Sequence, residues 1–327
     1  MTKKLTEYII AQQFDDIDKL IISECNIETY KNSPVLKYGI LESLGIFSGC
    51  KEITEYLFNK LKENIGKQEL SIDITHLKAE NKFFNFCFLH IKYDDKYENG
   101  EAGYYSSDGH DDYNEVRYDT INEKFKFIEI NLIFSKEHID NIYSLIMHEL
   151  VHAYDDYIHI KKSGFGASLY ERDKRAKYQL VRVKNKNDDI IIIQVFKDFM
   201  YLLNKSEQNA YIGQLNSEVK GTYKNIKDII NDLKNTSIFF NYKQIKLNFN
   251  AIIKNKKYLN QFCEVYRQTY ETKKSNESII KELNNKYNKC WKKFINHLYQ
   301  ITEDHLIKEN INHMDSREKI MIFNGQG

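Results

Sequence analysis

His148, Glu149 and His152 are the residues of this sequence whose types and spacing could do chemistry together. On a helix, residues four apart lie one turn above each other on one face, so the two imidazoles can share one divalent metal ion. Glu149 falls between them, rotated about 100° around the axis, where it can reach a water held by that ion. An activated water with a carboxylate beside it is hydrolytic chemistry. The H-E-x-x-H spacing carries that chemistry if the segment is helical and a further ligand completes the site.

The flanking residues point to a helix packed on a sheet. Ser135 is placed as N-cap, with Glu137 in the first turn at the positive end of the dipole. Ile139, Ile142, Ile146, Leu150 (or Ala153) and Tyr157 then form an apolar stripe. His148, His152 and Asp155 or Asp156 occupy a neighbouring face. Upstream, Lys124 to Phe134 is dense in Phe and Ile and reads as a strand. Leu70, Ile72 and Ile74 alternate with polar residues in a half-buried strand, and Asn81 to Tyr93, with Phe84, Phe86 and Phe88, is another. Residues 76–81 make the connecting hairpin.

The polar stretch from Tyr97 to Tyr118 contains Ser106-Ser-Asp-Gly-His-Asp-Asp112, which misses the spacing of a calcium loop and reads as a solvated loop. Residues 160–189 read as an irregular, basic insertion around Ser163-Gly-Phe-Gly166. Asp188-Asp189 can cap an apolar helix over Ile190 to Leu203, which continues through Ser206 and Tyr211 to about Val219.

Both ends of the chain read as helical. Ile9, Ile10, Phe14, Ile17 and Ile21 fall near a helical period, Ser33-Pro34 suits a helix start, and a third helix covers Glu52 to Lys62, ending near Gly66. Residues 220–327 are polar and helical in pattern, most clearly from Ser278 to Lys308. There Ile280, Leu283, Tyr287, Cys290 or Trp291, Phe294, Leu298 and Ile301 form a packing face for this chain or for a partner protein. The fold expected is α+β: an N-terminal helical region over 1–66, a core over 67–220 with a small, mainly antiparallel sheet packed on the motif helix, and a C-terminal helical region over 221–327.

Composition narrows the partners. Of 327 residues, 48 are Lys or Arg and 47 are Asp or Glu, so no global basic excess points to nucleic acid or an anionic membrane. The five cysteines are odd in number, scattered and without a C-x-x-C pair, which suits reduced thiols in a non-oxidising compartment. No run reaches the ~18 apolar residues that a membrane span needs, and the first residues lack the apolar stretch of a secretory signal. A cytoplasmic protein is expected, with virion association or export by another system as alternatives.

With the strand, the short connection, the capped helix and His148-Glu149-Leu150-Val151-His152-Ala153 in place, roughly residues 70–220 resemble the zincin metallopeptidases. The resemblance implies one zinc ion held by His148 and His152, a third protein ligand, water in the fourth position and Glu149 as general base. A metzincin would need Gly at position 155 and His at 158, where Asp155 and Ile158 stand. His159 lies two turns beyond His152, ~10 Å along the axis, too far to share the ion.

A gluzincin takes a glutamate from a later helix. Glu207 is favoured, because it sits in a helical segment with the small Ala210 one turn on. Glu171, nineteen residues after His152, is the alternative in more charged surroundings, and Glu218 a more distant one. Tyr211 is the first candidate to stabilise an oxyanion, beside Tyr154, His159 and Arg172, and Asp155 or Asp156 could orient a ligand histidine. The activity implied is that of a gluzincin-type metalloendopeptidase acting on a peptide or protein. A catalytically idle zincin-like assembly protein, such as a phage virion component, and a toxin-type zincin remain the alternatives. The intact Glu149 favours the enzyme, since an idle site would be expected to lose its base first.

Overall fold

The computed structural model describes residues 50–78, 82–94, 102–105, 118–163, 189–218, 234–290 and 293–294. The expected helices before residue 50, the Ser106–Asp112 loop and the helical pattern beyond Phe294 lie outside the described residues. Within them the fold is mixed α+β, with seven helices, a small sheet and one continuous apolar core running from Cys50 to Phe294.

The first helix, α1 (50–63), ends at Gly66, whose φ of 99° is a backbone conformation glycine adopts without strain. Strand β1 (Glu69–Asp73) buries Leu70 and Ile72 on one face and pairs antiparallel with β2 (Phe84–Tyr93). The connection is held from within. Asp73 Oδ1 accepts from the Thr75 N–H at 2.7 Å, and the Lys82 ammonium donates to the carbonyls of Ile74, Thr75 and Leu77.

Strand β5 (Lys124–Phe134) runs parallel to β2, in register from Phe84↔Phe125 to Tyr93↔Phe134. The short strands β3 (Ala102–Tyr105) and β4 (Tyr118–Asp119) both pair antiparallel with β5, one after the other along its length. The order is therefore β1-β2-β5-β3, with three antiparallel pairings around one parallel central pair. The sheet's buried face carries Cys87, Leu89 and Ile91 of β2 and Ile128, Ile130, Leu132 and Phe134 of β5.

Ser135 stands directly after β5 and caps the next element, its hydroxyl accepting from the Glu137 N–H at 3.3 Å. That element is a 3-10 turn, Lys136–Asn141, which leads into α2 (Ile142–Ser163). Ile142, Ile146, Leu150 and Ala153 of α2 are fully buried, as the stripe requires. Met147 and Val151, on another side, are buried too, and Thr54 of α1 donates to Met147 Sδ at 3.4 Å. The motif helix is thus enclosed between the sheet, α1 and a later helix, which holds its direction.

That later helix differs from expectation. The segment after Asp189 forms two helices, α3 (Asp189–Leu202) and α4 (Lys205–Glu218), instead of one continuous rod to about Val219. Asn204 makes the break: its Oδ1 accepts from the Ser206 N–H at 3.0 Å, which starts a new helix. Behind α3 and α4 lie α5 (Ser237–Lys254), α6 (Lys256–Tyr270) and α7 (276–290). Phe196, Phe199, Tyr242, Phe249, Phe262 and Tyr287 join them in an aromatic layer. The stripe along α7, with Leu283, Tyr287, Cys290 and, just beyond it, Phe294 all buried, packs against this chain. Among the described residues, no helix is long and apolar enough to cross a membrane.

Candidate metal centre

Helix α2 packs against α4, and the contact brings together three side chains that could hold a metal ion. His148 Nε2 and His152 Nε2 are 3.2 Å apart, and Glu207 Oε2 lies 3.5 Å from the first and 3.3 Å from the second. A tetrahedral ion bonding nitrogen and oxygen at ~2.0–2.1 Å sets its ligand atoms ~3.3 Å apart. The three donors therefore already stand at coordination spacing. They are deep in the protein, His148 5% exposed, His152 9% and Glu207 1%. Among the described residues this is the one cluster of three or more such side chains able to hold a metal ion.

The local sequence explains the convergence. The break at Asn204 places Glu207 in the first turn of α4, where the helix dipole favours a carboxylate. Ala210, one turn on, is fully buried, and its side chain is only a methyl group, so the two helices can come close. Glu171, the alternative third ligand, and Arg172 lie outside the described residues.

The nitrogens that point away from the centre are also engaged. His148 Nδ1 faces Gln214 Oε1 at 3.2 Å, and His152 Nδ1 faces Ser206 Oγ at 3.0 Å. With Nδ1 hydrogen-bonded outward, each ring can turn an Nε2 lone pair inward. Asp155, expected to orient a histidine, instead accepts from Asn209 Nδ2 at 3.0 Å, and Lys293 Nζ donates to Asn209 Oδ1 at 2.8 Å. Burial raises the Asp155 carboxyl above the ordinary carboxylate range, against the lowering pull of Asn209, His152, His159 and Lys293. Asp156 is half-buried one residue further on.

The centre opens on a cleft of about 1010 Å³ lined by His148 and Glu149, with Tyr201, Tyr211, Gln214 and Phe240 among the other wall residues. Glu149 is 3% exposed, so the cleft is where it meets solvent. Tyr211 packs edge-on to His148, 5.0 Å between ring centroids. Burial first, then the carboxylates of Glu207 and Glu149, push the Tyr211 hydroxyl up. Burial and Glu207 do the same to Tyr201, whose hydroxyl faces that carboxylate. Both phenols stay protonated through the physiological range and can donate hydrogen bonds. Of the other expected donors, Tyr154 packs on Phe83 and Tyr157 and does not line the cleft, and His159 is exposed. Glu218 serves another purpose than ligation: it accepts hydrogen bonds from Gln214 and Ser237.

Sequence reading missed Tyr201, Ser206 and Gln214. Gln214 had a signal, because it lies two turns after Glu207 on the same helix face. Tyr201 had none, since it reaches the site across a helix break that periodicity does not show.

Comparison with known proteins returns no match: no family model fits the chain, and no curated protein or solved structure is significantly similar to it.

Proposed function

We propose that this chain is a zinc-dependent metallopeptidase of gluzincin type, with His148, His152 and Glu207 as ligands and Glu149 as general base. The observation that carries the reading is the arrival of Glu207, from a separate helix, at coordination spacing from both motif histidines. Two imidazoles and one carboxylate are a hydrolytic zinc set, which leaves a fourth position open. When bound, zinc acts as a Lewis acid that brings the pKa of a water towards ~7 and polarises a carbonyl.

The remaining steps fall to the protein. Glu149, buried at the floor of the cleft, accepts a proton from the attacking water and returns it to the departing amine. The Tyr211 hydroxyl donates to the oxygen on which charge develops, the kind of contact worth a few kcal/mol in a dry site. Among the described residues β3 ends the sheet beyond β5, and its Gly103 lines the cleft, so an extended peptide can add its backbone there. Phe240, 63% exposed at the same cleft, offers an apolar surface to a substrate side chain.

The test is hydrolysis of a mixed peptide library by the zinc-loaded wild type and by Glu149→Gln, with zinc content measured on both. The expected result is about one zinc per chain in each and cleavage reduced ~100- to 10,000-fold in the variant. Zinc bound without Glu149-dependent cleavage would replace the peptidase with a metal-stabilised scaffold. Absence of zinc from the wild type would remove both.

A further inference from the structure

The two ligand histidines are held by partners of different kinds. The hydroxyl of Ser206 beside His152 is by chemistry both a donor and an acceptor. The Gln214 oxygen beside His148 can only accept, and its amide is not free to turn round. The Gln214 nitrogen donates to Glu218 Oε1 at 2.9 Å and to Ser237 Oγ at 2.8 Å. Glu218 is held in turn by the start of α5, where Ser237 donates through its hydroxyl at 2.5 Å and through its N–H at 3.0 Å. Thr236 caps that helix, accepting from the Phe239 N–H at 3.2 Å, and so fixes the backbone that presents Ser237. Reversing the amide would set its oxygen against the Glu218 carboxylate oxygen, one acceptor facing another.

We propose that Gln214 is the positioning residue of the metal centre, and that the Glu218–Ser237 clasp fixes its amide so that the His148 ring turns Nδ1–H to the Gln214 oxygen and its Nε2 lone pair to the centre. The proposal rests on the reading of His148, His152 and Glu207 as metal ligands. It assigns a role to the C-terminal helical layer: α5, far along the chain from the motif, sets the tautomer of a ligand on α2 through three side chains. Which nitrogen of a neutral imidazole carries the proton depends on the hydrogen bond made by the other, so the direction of one amide decides whether His148 offers a lone pair. His152 faces a hydroxyl instead of an amide, a group that is both a donor and an acceptor.

The experiment has two readouts on the full chain. Long-range nitrogen–proton correlation spectra of the metal-free protein report which ring nitrogen of His148 is protonated, and competition with a chromophoric chelator reports zinc affinity. In the wild type His148 is expected in the Nδ1–H form. Gln214→Leu should shift it towards the Nε2–H form and weaken zinc ~10- to 100-fold, the range for loss of a ligand's supporting partner. Glu218→Gln, which frees the amide to turn, should give a smaller change of the same sign. The paired exchange Gln214→Glu with Glu218→Gln restores an acceptor beside His148 and a donor behind it, and should recover most of the affinity, which a general packing defect would not allow. A wild-type ring in the Nε2–H form, or a Gln214→Leu chain unchanged in both tautomer and affinity, overturns the proposal. A wild type that holds the Nδ1–H form yet takes up no zinc overturns the metal reading instead, so the two failures are distinguishable.

Discussion

Exchanging Glu207 for Gln removes one charge from the centre and almost no volume, so its effects on metal binding and on the bare fold can be told apart. The proposed ion joins α2 to α4 and binds only the folded chain. At a hundred times its dissociation constant such a ligand adds ~2.7 kcal/mol to stability. At ~2 °C per kcal/mol, the lower end for a domain of 150–250 residues, zinc should raise the wild-type Tm by ~5 °C. Glu207 is the anionic donor of the three, and losing it should cost at least the ~100-fold that marks the upper end for a mere supporting partner. The same zinc concentration then stands at or below the dissociation constant, where stabilisation is ~0.4 kcal/mol or less and the shift ~1 °C.

In chelator the order should reverse. A carboxylate only 1% exposed carries a larger desolvation cost than an amide, so metal-free Glu207→Gln should melt at or above the wild-type temperature. Differential scanning fluorimetry across a zinc titration, and again in chelator, measures both. A variant that keeps the full zinc shift would show that Glu207 is not a ligand. A variant several kcal/mol less stable in chelator as well would make Glu207 an ion-pair partner of His148 and His152 and nothing more.

Three other outcomes are expected. Tyr211→Phe should lower kcat ~100-fold at nearly unchanged zinc affinity, whereas Tyr201→Phe, whose hydroxyl faces Glu207, should weaken zinc ~10-fold; steady-state kinetics and zinc titration separate them. Asp155 has a folded pKa raised by burial, so the stability it contributes is present below its unfolded pKa of ~4 and lost as pH rises through the folded value. Asp155→Asn should therefore raise Tm at neutral pH and change little below pH ~4, as melting curves across that range will show. Gly103→Ala would set a Cβ 2.9 Å from Leu145 Cγ, next to the motif and on the cleft wall, and should cost ~1–3 kcal/mol by denaturant unfolding.

Local signals made the motif helix legible. A serine between a strand and an apolar period of 3.6 can be read without any tertiary knowledge, although Ser135 caps the 3-10 turn that leads into the motif helix and not that helix itself. Glu207 was also within reach, because a glutamate followed one turn later by alanine marks a helix face that can come close to another helix. What depends on contacts remote in sequence was less legible. Phe84, Phe86 and Phe88 suggest the core face of β2, yet Cys87, Leu89 and Ile91 fill it, while Phe86 is 39% exposed and Phe88 packs edge-on to Phe127 of β5. The buried parity shifts between Phe84 and Cys87, and in register between Phe125 and Ile128, so both strands turn over together. Neither sequence shows this alone. The parallel pairing of β2 with β5 has no local signature either. The break at Asn204 hung on a single side chain in a run that otherwise favours one helix. Helical period places Gln214 on the face of Glu207, but its partners Glu218 and Ser237 are remote from the motif and carry no local signal.

The central claim is that one zinc ion sits between α2 and α4, and anomalous diffraction at the zinc absorption edge from zinc-soaked crystals tests it most directly. The predicted result is one strong peak ~2.0–2.2 Å from His148 Nε2, His152 Nε2 and Glu207 Oε2. A peak completed by Glu171 or by no carboxylate, or the absence of any peak at the motif, would contradict it.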